Sequence, residues 1–267
     1  MLSDAIIYTL MTLGIPYIFA YLISKLGLYL SGLLSAIMWK PSRYLMIIGE
    51  VIHELSHLIV AIIFGHKIVS FHLASIEPHL IDNDSGETLN GEVISKFNQN
   101  NGYAKMGRYF IGLAPVFACS LIICLSFKRL IGSPFTITSI TINISSFSNF
   151  MNTIIHLMQN VMYIAFHANL FSLVLFLIIF MLISISGFNL STLDFKTSIH
   201  GMPRCAIILI ISLLLLSLIG LQKVVQYLIY KLITGFIVLA CLLIISLSML
   251  DIIFKIIEVI KVKQMFK

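Results

Sequence analysis

Residues 53–57 read His53-Glu54-Leu55-Ser56-His57, two histidines four apart with a glutamate directly after the first. On a helix this spacing places both imidazoles one turn apart on one face, where they can converge on a single Zn²⁺. Glu54 then projects beside the metal as general base toward a water. Zinc lowers the pKa of such a water to about 7, which makes hydroxide available at neutral pH. The surrounding run, YLMIIGEVIHELSHLIVAIIF at 44–64, is otherwise apolar and long enough to cross a bilayer. Ionisable groups at that depth are costly unless something partners them, and a metal is such a partner.

Two histidines leave the ligand set incomplete. A third histidine six residues after His57 is ruled out, because that position is Ile63. The later glutamates are Glu77, Glu87 and Glu92 in a polar loop and Glu258 near the C-terminus, none in a metal-binding phrase on an apolar run. Asp194 and Asp251 are the remaining carboxylates past that loop. Asp194 stands in FNLSTLDF, at a polar break between two apolar runs, where an aspartate at a helix start could face the bundle interior.

With HELSH on one span and an aspartate after a later one, the chain resembles the site-2 protease class of intramembrane zinc metalloproteases. These introduce their aspartate ligand by a phrase like FNLLPxxPLDGG. Here Phe188-Asn189-Leu190 and Leu193-Asp194 supply the frame, without the prolines, with the Asn-to-Asp spacing three residues shorter and with Phe195 in place of a glycine. Bacterial relatives with an SxxD phrase are closer, matched by Ser191-Thr192-Leu193-Asp194. The resemblance covers the three core spans. It implies Zn²⁺ held by His53, His57 and Asp194, catalysis by Glu54, and Asn189 binding the substrate backbone. It also implies that the strand after the HExxH helix receives the substrate. That role has its own physical logic: a helical peptide bond is shielded, so a protease must extend its substrate, and a sheet edge replaces the lost hydrogen bonds. Lys67–Leu73 is the expected edge.

Further polar residues fall around this set. Glu50, three residues before His53, is a candidate to orient a ligand imidazole from behind. His200, six residues after Asp194, is either an oxyanion donor or a helix-end histidine. His66 and His72 are loop histidines or auxiliary ligands, while His167 and Asn169 bridge helices or reach the site. The small-residue run Gly112-Leu113-Ala114-Pro115 has the character of close helix packing.

The elements that must carry these residues are membrane helices. The 267 residues are 59% hydrophobic and 10% charged, with a mean hydropathy of +1.05. This predicts an all-α polytopic membrane protein, one membrane-embedded domain over 1–267, with about six spans near 5–23, 44–64, 109–127, 161–185, 205–221 and 232–253. The segment 26–39 reads as an interfacial piece or the return half of a helical hairpin, and 130–160 as re-entrant or interfacial. A polar loop at 65–107 carries an alternating KIVSFHLASI and turn signals at Ser85-Gly86 and Asn90-Gly91, which predict a small β-hairpin-like element.

The N-terminal run has no basic stretch before it and reads as a retained span. Cys119, Cys124, Cys205 and Cys241 all lie in apolar runs without CxxC spacing, so they read as packing residues. The net charge of +6 is scattered over helix ends, which excludes a nucleic-acid face. Lys and Arg are balanced between alternate connections, so orientation is left open, and nothing specifies an oligomeric state.

The partners expected are the lipid bilayer and a membrane-embedded protein or peptide substrate. The Ile-, Lys- and Asn-rich composition fits an AT-rich bacterial genome and hence a bacterial cytoplasmic membrane. Two other functions fit the same residues: a non-catalytic protein of this fold that binds a client helix, and a metal or proton transporter that uses the His/Glu cluster.

Overall fold

The computed structural model describes residues 2–74, 79–80, 88–89, 92–131 and 167–265, with scattered helical residues between 152 and 164. Helices dominate it: α1 (Leu2–Ile37), α2 (Trp39–Ile63), α3 (Gly102–Ile131), α4 (Leu170–Ser184), α5 (Thr192–Leu218) and α6 (Gln222–Met265). Four of the described helices, Leu2–Ile37, Pro41–Ile63, Gly102–Ile131 and Thr192–Leu218, are long and apolar enough to cross a membrane. Large apolar side chains such as Leu10, Ile62, Leu121 and Leu215 are exposed along them. These outward faces suit lipid, and the chain is compatible with an integral membrane protein. The expected six spans are not reached among the described residues.

Several boundaries differ from expectation. The first expected span and the segment 26–39 are one helix of 36 residues, about 54 Å long at 1.5 Å per residue. Pro16 lies inside it. The turn that proline loosens is supported from outside, because the Tyr109 hydroxyl donates to Leu13 O at 2.7 Å. The chain reverses at Met38, whose N–H still bonds Leu34 O at 2.8 Å while its carbonyl accepts from Ser42 N at 3.0 Å. Downstream, the span expected at 205–221 begins instead at Thr192, so the polar phrase TLDFKTSIHGMPR is helical. The run 161–185 contributes α4 from Leu170, with Asn169 as its N-cap accepting from Phe171 N. Most of 130–160 lies outside the described residues.

The polar phrase before α5 interrupts a single path through the bundle. Phe176 of α4 packs on Phe127 of α3, Gly187 lies against Cys119, Asp194 against Gly112, and Gly201 against Tyr109. As numbering rises through α4 and α5, their partners on α3 fall. The two helices therefore run in the same direction, antiparallel to α3, and together make one discontinuous helix whose break, residues 185–191, lies within the bundle. Fully buried Ile23, Leu30 and Leu34 of α1, Leu113 of α3 and Phe188 of the break form the centre of the core.

Helix α2 ends in a Schellman turn: Gly65 takes φ +72°, its N–H bonds Ile62 O, and His66 N–H bonds Ala61 O. The chain then enters β1 (Lys67–His72), which pairs antiparallel with β4 (Glu92–Lys96), a bulge falling between Ile68 and Ser70. Beyond it β2 (His79–Leu80) pairs with β3 (Thr88–Leu89). The expected strand and hairpin-like element are present; both expected turns reach outside the described residues.

Candidate metal centre

His53 and His57 project from the same face of α2, are nearly buried, and have ring centroids 4.9 Å apart. Each ring is oriented from behind by a main-chain carbonyl. His53 Nδ1 donates to Gly187 O at 3.1 Å and His57 Nδ1 donates to Ile111 O at 2.7 Å. A carbonyl only accepts, so each neutral imidazole carries its proton on Nδ1 and presents a bare Nε2 lone pair. These two Nε2 atoms are 3.2 Å apart. Asp194 joins them, Oδ1 lying 3.2 Å from His57 Nε2 and Oδ2 3.7 Å from His53 Nε2.

Three electron-rich atoms facing one another at these distances repel unless a metal ion or a proton lies among them. Ligands about 2.0–2.1 Å from a tetrahedral ion are separated by about 3.3 Å, close to the spacing found. The donor set therefore fits a metal: His53, His57 and Asp194 form a group that could hold an ion, its ligand atoms all within 4.8 Å of one another.

Asp194 reaches the histidines because α5 starts inside the bundle. Ser191 is its N-cap and Asp194 its N3 residue, forming a capping box. Close backbone approach brings this helix start to α2 and α3. A Cβ on Gly112 would meet the Asp194 carbonyl and Ser198, and one on Gly49 would meet Ser186 Oγ and the Gly187 N–H. Ser186 Oγ also donates to Met46 O at 2.6 Å, tying the break to α2.

Glu54 is half-buried beside His53. Its electrostatic neighbours are His53, Asp194, Glu50 and, from the sheet, Glu92. Glu92, the first residue of β4, is close enough for its charge to act on Glu54, and it pairs with His72 at the end of β1.

Other expected residues are placed differently. The imidazole-orienting role expected of Glu50 is taken by the carbonyls of Gly187 and Ile111; a Glu50 carboxylate oxygen lies 4.0 Å from Arg43. His200 is exposed and donates to Lys196 O of its own helix at 2.6 Å, because six residues on a helix turn it about 120° away from Asp194. Asn189 donates through Nδ2 to Ser31 Oγ and Ile185 O, both at 3.3 Å, and its Oδ1 packs against Gly27. His66 is buried, donates to Ala104 O at 2.9 Å, faces Ser95 Oγ at 3.2 Å and stacks on Phe97, so it pins the sheet to α3. His72 is exposed on β1, and His167 is exposed and bonds Tyr163 O.

Sequence reasoning missed the orienting carbonyls, which no side-chain pattern encodes. It also missed Gly112 as the point where the aspartate helix docks, although the run of small residues at 112–115 marked the place. Compared with protein families, curated proteins and solved structures, the chain matches none.

Proposed function

We propose that this protein is an intramembrane zinc metalloendopeptidase of the kind its HELSH and SxxD phrases resemble, the site-2 protease class. The observation carrying this reading is the meeting of two oriented imidazole lone pairs and one carboxylate in an apolar bundle, with Glu54 alongside. A set of three nitrogen and oxygen ligands is the number that catalytic zinc takes from protein, whereas a structural site takes four. When bound, zinc supplies a Lewis acid that polarises a peptide carbonyl and brings the pKa of a water toward about 7.

The chain's own residues divide the remaining work. Glu54 accepts the proton from the attacking water and returns it to the leaving amine. The carbonyls of Gly187 and Ile111 hold His53 and His57 in the tautomer that binds metal. The substrate, a segment of a membrane-embedded or membrane-associated protein or peptide, lies extended along the outer edge of β1, next to the Glu54 face. Asn189 keeps the break against α1 through Ser31 and is the residue from which a backbone contact to substrate is expected.

Elemental analysis of purified protein tests the site: about one zinc per chain is expected, lost in His53→Ala. Glu54→Gln should keep the zinc and abolish cleavage of an added membrane peptide; an active Gln variant would sink the mechanism. Metal-dependent flux in vesicles without hydrolysis would favour the transporter reading, and absence of zinc the non-catalytic one.

A further inference from the structure

The same carboxylate that faces the histidines also starts α5, and its two oxygens are not equivalent. Asp194 Oδ2 accepts from Ser191 N and from Ser191 Oγ, both at 2.8 Å. In return the Asp194 N–H donates to Ser191 Oγ at 3.1 Å. A serine hydroxyl has one proton; with its oxygen accepting that N–H, the proton is free to point at Oδ2. Oδ1 makes the closer approach to the histidines, at 3.2 Å from His57 Nε2.

We propose that Ser191 is a positioning residue for the metal: by occupying Oδ2 with two donors it makes Asp194 a ligand through one oxygen. This rests on the metal-centre reading above. A carboxylate free to swing can bind an ion through one oxygen or two, and the second oxygen fills a coordination position that a water or a substrate carbonyl needs. Ser191 removes that option. An ordinary capping box needs only a side chain that reaches back to the N-cap, a task Glu or Gln performs. Here the N3 residue is Asp, whose shorter side chain serves the cap with Oδ2, itself 3.7 Å from His53 Nε2, and turns Oδ1 toward His57 Nε2 at 3.2 Å. Helix start and metal centre are thereby coupled through one side chain.

The test measures zinc affinity by competition with a chromophoric chelator, and the visible spectrum of the Co²⁺-substituted protein, for wild type, Ser191→Thr, Ser191→Ala and Ser191→Gly. Threonine keeps the hydroxyl and should bind as wild type does. Alanine and glycine both lack it and should bind zinc about 10- to 100-fold more weakly, the usual range for loss of a partner that orients a ligand. Their Co²⁺ bands should weaken as the coordination number rises above four.

Glycine separates this role from simple helix capping, because as an N-cap it is only slightly worse than serine whereas alanine is poor. If glycine binds zinc like wild type and only alanine fails, Ser191 merely starts the helix and the proposal is overturned. Unchanged affinity and spectrum in both variants overturn it as well. A wild-type protein without zinc, or His53→Ala retaining it, instead overturns the metal centre on which the proposal stands.

Discussion

His53 and His57 hang from the middle of an unbroken helix, whereas Asp194 is the third residue of a helix that begins inside the bundle. The first pair is fixed by covalent geometry: four residues make one turn, and any stable α2 presents both rings together. The aspartate has no such guarantee. Its position depends on the break at 185–191, on the Ser191 cap and on a backbone contact at Gly112. One half of the centre is therefore local and robust, and the other is tertiary and easily displaced.

Removing a ligand from each half gives the largest effect and exposes the contrast. His57→Ala and Asp194→Ala should both lose zinc from the purified protein. They should part company in stability without metal. Alanine at 57 suits the middle of α2 but leaves Ile111 O without its Nδ1–H donor, at about 1–3 kcal/mol, while alanine at 194 dissolves the reciprocal cap of α5, at a cost of about 1 kcal/mol. Chemical denaturation of each apo-protein beside apo wild type in detergent measures these costs; an Asp194→Ala protein as stable as wild type would mean that the cap contributes nothing.

Gly112→Ala comes next. A Cβ there meets the Asp194 carbonyl and Ser198, groups with no flexible end to give way. Helices α3 and α5 must separate, which costs roughly 1–3 kcal/mol and moves the carboxylate off the histidines. About a tenfold or greater loss of zinc affinity is expected, and a Gly112→Ala protein that binds zinc like wild type would show that the aspartate half tolerates displacement. Ser186→Ala should act in the same direction but less. It deletes the 2.6 Å bond to Met46 O that ties the break to α2, at about 1 kcal/mol. The ligands themselves stay in place, so thermal stability should fall more visibly than zinc affinity.

The same division explains what could be read from the chain. HELSH was legible because its chemistry is written in spacing along one helix, and β1 because its alternation is local. The continuity of α1 was not. The expected first span stops at 23 and a separate segment begins at 26, yet Ser24 Oγ donates to Leu190 O at 3.2 Å and Gly27 makes room for the Asn189 side chain. They are the contacts by which α1 grips the break. Likewise the span expected from 205 leaves Ser198 and Gly201 in the polar break before it, and both are small where α3 lies against them. In a bundle without a polar solvent inside it, small and polar residues mark where helices touch as often as where they end.

That reading of small residues yields the mildest and most discriminating substitution. Gly32 lies on an exposed face of α1, and a Cβ added there meets nothing within 4 Å. A helical glycine with no contact to protect only weakens its helix, so Gly32→Ala should raise stability by a few tenths to about 1 kcal/mol. Zinc affinity should not change, since no ligand or oriented carbonyl is touched. Gly27→Ala, one turn and one residue earlier, places its Cβ into the Asn189 amide and should lower stability instead. Opposite signs from two glycines of one helix, read as shifts in Tm in detergent, would establish that α1 is held to the metal centre through the break; a shared sign would mean that the grip at Asn189 carries no weight.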